Sequence, residues 1–163
     1  MDLIFKEISE KDLPVIKTIY DWYILNSTAT FHTGPITTDQ LREFIFIGHP
    51  VYRSFLIYSD GNMAGYCIIT NYKKRPAYDR TAEVTIYLKP ECCGRGIGTL
   101  ALAHLEDNAR KANLKNLIGV ISGDNESSIR LFEKCGYFKC AHYKNVGEKF
   151  GKVLDVVDYQ KEI

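Results

Sequence analysis

The spacing of apolar residues changes along the chain, and each change marks an element. Residues 3–8 read as a first strand. Ser9 and Asp12 then stand three apart before Leu13-Pro14, a capping-box-like helix start with proline in the first turn. Leu13, Ile16, Ile19, Tyr20 and Tyr23 recur at helical spacing to about Leu25, and this aromatic stripe reads as core. Residues 26–37, polar and containing Gly34-Pro35, read as a loop in which Phe31 either packs down or lines a pocket. Thr38 is expected to cap a second helix with Leu41, Phe44, Ile45 and Ile47 inward, stopped by Gly48-His49-Pro50. Residues 54–58, Asp60-Gly61 and residues 63–70 form a hairpin signal. A basic loop, 71–80, leads into the central stretch.

That stretch reads as strand, tight loop, helix. Val84, Ile86 and Leu88 alternate with Thr85 and Tyr87, and Pro90, with no N–H for a ladder, ends the strand. Gly94-Arg95-Gly96-Ile97-Gly98 follows, and Leu100, Leu102, Ala103 and Leu105 continue at helical spacing. Residues 116–121 give another strand, and 123–128 open a helix with Ile129, Leu131 and Phe132 inside and Gly136 at its end. Residues 137–146 and 153–159 close the chain as two strands around 147–151. The order β-α-α-β-β-β-α-β-α-β-β, with no repeat or linker, predicts one mixed α/β sheet.

The glycine run carries the first chemistry. A helix that begins in a glycine-lined cup leaves several N–H groups without partners, and these groups with the macrodipole attract phosphate. The P-loop is excluded, because Thr99 follows Gly98 and no lysine is present. The dinucleotide fingerprint is excluded by the G-x-G-x-G spacing in mid-chain. The alternative is a plain βα turn without ligand, which has little use for three glycines.

Composition narrows the class. With 163 residues, 45% hydrophobic, one domain with a real core is expected. A net charge of +1 leaves no electrostatic footprint for nucleic acid or an anionic membrane. No apolar run reaches membrane-spanning length, and the N-terminus has a strand pattern rather than that of a signal peptide, so a cytoplasmic protein is expected. Five cysteines, two of them adjacent, argue against a disulfide framework. Cys135, Cys140 and His142 lack a C-x-x-C pair, and no metal is expected.

Cys93-Gly94-Arg95-Gly96-Ile97-Gly98 resembles the Gln/Arg-x-x-Gly-x-Gly/Ala signature of the GNAT N-acetyltransferases, in which backbone amides hold the pyrophosphate of acetyl-CoA. Cys93 stands where the family has Gln or Arg. Asn125-Glu126-Ser127-Ser128-Ile129-Arg130-Leu131-Phe132-Glu133-Lys134-Cys135-Gly136-Tyr137 resembles the second signature, Asn-x-x-Ala/Ser-x-x-Leu-Tyr/His-Glu-x-x-Gly-Phe/Tyr, and departs from it at Phe132. The resemblance spans essentially the whole chain. It implies a single domain over residues 1–163 with the α/β GNAT fold, a mixed and mostly antiparallel sheet flanked by helices on both faces. It also implies acetyl-CoA as cosubstrate, no metal, and a cofactor site at Ile86, Tyr87, Leu88, Gly94, Arg95, Gly96, Ile97, Gly98, Thr99, Asn125 and Ser128.

A subgroup is visible in Arg75-Pro76-Ala77-Tyr78-Asp79-Arg80-Thr81-Ala82-Glu83, which is similar to the phosphinothricin acetyltransferases and their methionine sulfone and sulfoximine acetylating relatives. Ser27-Thr28-Ala29-Thr30-Phe31, Lys149-Phe150-Gly151 and Asp155-Val156 look like further pieces of that pattern. By this resemblance Glu83 serves as base, and Arg75 with Tyr78, Tyr87 and Phe31 holds a small amine substrate of the amino-acid type. Such enzymes are typically cytoplasmic homodimers.

The chemistry agrees with a base at Glu83. Amide formation from a thioester needs a neutral amine, and a carboxylate can take the proton that an α-ammonium carries at neutral pH. The alternative is that Glu83 only pairs with Arg80 or Arg75. Backbone N–H groups near Tyr87 would polarise the thioester carbonyl. Many family members have Tyr at the Phe132 position, as the acid for the leaving thiolate, and this subgroup often has His. Phenylalanine does neither job, so the acid is unassigned. Two other functions stay open: acetylation of a polyamine or a protein N-terminus, and CoA binding without catalysis.

Overall fold

The N-terminal segment forms β1 (Leu3–Glu7), one edge of a seven-stranded sheet in the computed structural model, which describes residues 1–163. Ser9 and Asp12 do form a capping box, on a short 3-10 turn that runs into α1 (Leu13–Asn26). α2 (Thr38–Arg42) precedes β2 (Ser54–Ser59) and β3 (Asn62–Asn71), which form the expected hairpin. β4 (Thr81–Leu88), α3 (Ile97–Lys111), β5 (Asn116–Ser122) and α4 (Glu126–Lys134) follow, and β6 (Phe138–Lys149) and β7 (Lys152–Glu162) end the chain. The sheet order is β1-β2-β3-β4-β5-β7-β6, antiparallel at every junction except β4–β5. It is the mostly antiparallel sheet with helices on both faces that the GNAT resemblance implies.

Side chains alternate across each strand, so each face has its own core. On one face Phe55, Ile57, Ile69 and Val84 pack with Ala101, Leu102 and Leu105 of α3 and Phe132 of α4. On the other, Leu56, Tyr66 and Ile68 pack with Leu13, Ile16, Tyr20 and Ile24 of α1 and Leu41 of α2. Each fully buried leucine or isoleucine contributes roughly 1.5–3 kcal/mol. The helix stripe read from the sequence is therefore core at Leu13, Ile16, Ile19 and Tyr20, whereas Tyr23 is half-buried.

One feature of the sheet makes the cleft. β4 and β5 pair in parallel only through Thr81↔Asn116, Ala82↔Leu117 and Glu83↔Ile118. Beyond Glu83 the two strands part, while β4 stays paired to β3 up to Leu88. The β5-facing edge of residues 84–88 is left without a strand, and the gap opens to both faces of the sheet.

Three expectations about local structure are corrected. Thr37, not Thr38, caps α2, because Gln40 completes a capping box with it. That helix ends at Arg42, yet Ile45 is buried all the same, since a turn carries it back onto α1. The closing strands are longer than read: β6 continues to Lys149 through a bulge between Tyr143 and Gly147, and the hairpin turns on Phe150 and Gly151 alone. The bulge survives because Asn145 takes a left-handed φ of 56° and donates its N–H to Asp155 Oδ1 at 2.8 Å.

Candidate active site

Two cavities meet the gap between β4 and β5, one from each face of the sheet. The first, about 370 Å³, is floored by Ile68, Thr70, Glu83, Thr85 and Tyr87. Its walls come from Tyr20 of α1, the segment Ala29–Thr30–Phe31–His32, and Val120 and Ser122 of β5. The second, about 630 Å³, is lined by Ile86 and Leu88 of β4, Gly94, Gly96, Gly98 and Thr99 of the glycine turn, and Asn125, Ser128 and Phe132 of α4. Period-two alternation along β4 sends Glu83, Thr85 and Tyr87 to one cavity and Ile86 and Leu88 to the other.

The second cavity fits a phosphate-bearing ligand. Gly94 and Gly96 have φ of 73° and 81°, left-handed values that glycine adopts without strain. A Cβ built on either would touch nothing within 4 Å, so this space belongs to no part of the chain itself. Gly96 is the cap of α3, whose first N–H groups open onto the cup. Gly98 serves packing: a Cβ there would lie 3.0 Å from Leu131 of α4. Ile97 is fully buried and Arg95 reaches toward Asp60 at 3.9 Å, so these two offer the groove only their backbone. Asn125 spends its side-chain oxygen on capping α4, accepting from Ser128 N–H at 3.3 Å, which leaves its amide donors for the groove.

Glu83 occupies the point where the strands part. Burial first, and the nearby Asp158 carboxylate second, push its carboxyl up from the ordinary range to about 7. It makes no ion pair with Arg75 or Arg80. Asp158 lies on β7, opposite Val120, on the same face of the sheet as Glu83. It is buried, its Oδ1 has no hydrogen-bond partner, and burial raises its own pKa against the pull of Lys73.

The walls are tied by hydrogen bonds. Tyr20 OH bonds Thr30 Oγ1 at 2.7 Å and His32 Nδ1 at 2.6 Å. Tyr87 OH donates to Ala29 O at 3.4 Å, and its ring packs against those of Tyr20, Tyr23 and Tyr66. Tyr23 OH donates to Leu88 O at 2.5 Å and stands 3.9 Å from Cys93 Sγ. Phe132 is buried edge-on to Tyr137, and a Cβ on Gly119 would lie 2.3 Å from its ring. It is a wedge against β5 and carries no proton.

Of the candidates for substrate contact, Phe31 and Tyr87 line the first cavity with Glu83. Arg75 and Tyr78 do not. A 3-10 turn, Pro76–Tyr78, folds the basic loop on itself, Tyr78 packs on Tyr72, and Lys73 lies over both rings. Arg75 is left exposed outside the cavity. Sequence reasoning missed Tyr20, His32 and Asp158, and it gave no role to Thr30 and Lys149, which it met only as pieces of the subgroup pattern. Tyr20 looked like core because its ring is core; only its hydroxyl belongs to the site. On the β6–β7 hairpin, His142 Nε2 meets Asp155 Oδ2 at 2.8 Å, and Cys140 Sγ points to Asp158 O at 3.4 Å.

The Acetyltransferase (GNAT) family model matches residues 16–137. The chain is 32% identical to phosphinothricin N-acetyltransferase of Streptomyces coelicolor over 94% of its own length and 92% of that protein's. It is 28% identical to L-methionine sulfoximine/L-methionine sulfone acetyltransferase of Salmonella typhimurium, covering 93% and 90%. Among solved structures, a GNAT superfamily phosphinothricin acetyltransferase from Sinorhizobium meliloti in complex with AcCoA superposes with a TM-score of 0.91 at 27% identity, over 100% of this chain and 89% of that one. A glycine cup at a helix start, a parted pair of central strands and a match over most of the sequence converge: this chain belongs to the GNAT family and is an N-acetyltransferase.

Proposed function

We propose that the protein transfers an acetyl group from acetyl-CoA to the α-amine of a small amino-acid-like acceptor of the phosphinothricin or methionine sulfoximine type. The observation that carries this reading is Glu83, held half-buried where the two cavities meet, with its carboxyl near pH 7. A base is most effective when its pKa lies near the working pH. The ammonium of an amino acid titrates above that value, so a Glu83 carboxylate at neutral pH is the ready acceptor for its proton.

Acetyl-CoA supplies the acetyl thioester. Gly94, Gly96, Gly98 and Thr99 receive its phosphates, with backbone from Arg95 and Ile97. The free edge of residues 86–88 and the Asn125 and Ser128 end of α4 border the arm that reaches the gap. On the other face Phe31, Tyr87 and Tyr20 wall the acceptor, and Thr70 and Thr85 flank Glu83. Phe132 supplies no proton, so the leaving thiolate, itself a tolerable leaving group near its own pKa of about 8.5, takes one from water or from another hydroxyl. The names of relatives that act on phosphinothricin and methionine sulfoximine support the amino-acid class. One observation favours a second reading, transfer to a polyamine: the acceptor cavity is lined by a carboxylate and by no lysine or arginine.

We place the protein in the cytoplasm as a homodimer. Support for the dimer comes from the β6–β7 hairpin, which leaves Phe138, Tyr143, Val146 and Val153 exposed on a sheet edge.

The test is a CoA-release assay over methionine sulfone, methionine sulfoximine, phosphinothricin, spermidine and peptides, with wild type and Glu83→Gln. Wild type is expected to prefer the amino-acid acceptors. The variant is expected to lose about 10²-fold in kcat while its acetyl-CoA Kd stays that of wild type. An unchanged kcat would remove Glu83 as the base, and a preference for spermidine would replace the acceptor class.

A further inference from the structure

An acceptor cavity without a lysine or arginine poses a problem for an amino-acid substrate, whose carboxylate needs a partner when it leaves water. The nearest device is behind the wall rather than in it. Lys149, at the end of β6, is 3% exposed. Its Nζ donates to Ser27 O at 2.7 Å and to Thr30 O at 2.8 Å. No carboxylate pairs with it, although the Phe150 ring lies 5.0 Å from Nζ, and burial lowers its pKa. A buried ammonium with only carbonyl partners is costly, and it persists where its charge is used.

We infer that Lys149 makes the acceptor wall a carboxylate-binding surface: bound to the Thr30 carbonyl from behind, its ammonium sets the Thr30–Phe31 peptide so that the Phe31 N–H receives the carboxylate of the acceptor. The inference rests on the amino-acid reading above. Its geometry follows from peptide planarity. The chain has no cis peptide bond, so each N–H points opposite to the carbonyl of its own peptide. Thr30 O points at Lys149, which is buried outside the cavity; the Phe31 N–H points the other way. That N–H donates to no group in the chain. Thr30 and Phe31 both line the cavity that holds Glu83.

The segment is also held in place. Ala29 N–H donates to Ser27 Oγ at 3.0 Å, Thr28 Oγ1 donates to Asp124, and Thr30 Oγ1 meets Tyr20 OH. The Phe31 ring lies on the β6 backbone, where a Cβ on Gly147 would come within 2.4 Å. A positive charge at the oxygen end of a fixed peptide dipole strengthens the donor at its other end, as oriented backbone amides do in anion-binding concavities. The acceptor's carboxylate and amine are then gripped at two points of one cavity, the Phe31 N–H and Glu83.

The experiment compares L-methionine sulfone with its primary amide, which keeps the amine and loses the carboxylate, on wild type and Lys149→Met. The quantity read is the ratio of kcat/KM for acid over amide; the difference in amine pKa between the two acceptors cancels when the ratios of two enzymes are compared. Wild type is expected to favour the acid, and Lys149→Met to lose about 10- to 100-fold of that preference, the worth of one charge-assisted hydrogen bond. Its acetyl-CoA Kd is expected to hold, and its use of the amide to fall by less than its use of the acid. An unchanged ratio in a folded variant overturns the inference and leaves the amino-acid reading standing. A wild type that uses the amide as well as the acid overturns both. Should Lys149→Met not fold, wild type labelled with 15N-phenylalanine decides: the Phe31 amide peak, identified by its loss in Phe31→Leu, is expected to shift with methionine sulfone and not with its amide. A peak that ignores the carboxylate overturns the inference.

Discussion

Glu83 takes its chemistry from what surrounds it. A glutamate on an exposed strand would titrate in the ordinary range; burial and the Asp158 charge bring it to about 7. The activity of a base falls as it is protonated, so the acidic limb of the kcat/KM profile is expected to inflect near pH 7. Asp158→Asn removes the smaller of the two causes. It is expected to move that limb down by a few tenths of a unit to about one unit, with acetyl-CoA binding unchanged. A limb that stays in place would mean that Asp158 is too far away or too well screened to act on the base. Stability carries the opposite sign. A carboxyl whose folded pKa is raised costs stability as pH rises from the unfolded value through the folded one. Glu83→Gln, a mimic of the neutral form, is therefore expected to melt above wild type at pH 8 and level with it at pH 4. The identity of Glu83 as a candidate was legible from its position at the start of the signature strand. Its tuning was not, because Asp158 lies 75 residues away in sequence and meets it only across the folded sheet.

At the scale of elements, the glycine turn and α3 form one device. Its shape was readable because glycine spacing reports a backbone requirement, and Gly94 and Gly96 do take left-handed φ. Since a Cβ on Gly96 would meet nothing of the chain, Gly96→Ala is expected to cost only about 1 kcal/mol of stability, the strain of a left-handed alanine, while the added methyl intrudes on the cup. Calorimetry is expected to show acetyl-CoA Kd rising at least about tenfold, or about 1.4 kcal/mol; an unchanged Kd would mean that the phosphates lie elsewhere. The second signature divides its labour differently from what spacing alone suggests. Asn125 is first a helix cap, and Phe132 is first a wedge on Gly119. The β6–β7 hairpin was misread at its ends for a physical reason: a bulge with one left-handed asparagine looks like a loop when strand residues are judged one at a time.

For the molecule as a whole, the open question lies at the sheet edge. β6 has no neighbour on its outer side, and large apolar residues stand exposed there and on β7. A monomer rarely leaves such an edge bare. Sedimentation velocity is expected to give about twice the 18.6 kDa of one chain, and Val146→Lys with Val153→Lys is expected to bring it to the monomer with the fold intact. A wild type that sediments as a monomer at micromolar concentration would refute the homodimer.

What the sequence determined by itself is whatever depends on neighbours along the chain. The strands and helices follow from periodicity, the left-handed turn before α3 from its glycines, and the order of elements from their succession. Two motifs at the right separation made the family legible. Only the tertiary structure decided which side chains share a cavity. The parting of β4 from β5 beyond Glu83, the wall that Lys149 holds from across 119 residues at Thr30, and the carboxylate of Asp158 near Glu83 all depend on distant segments. It also removed Arg75 from the lining, because the loop that carries it is folded by its own aromatic residues. Local patterns are set by backbone geometry, which each residue carries with it; a site is set by packing, which no residue carries alone.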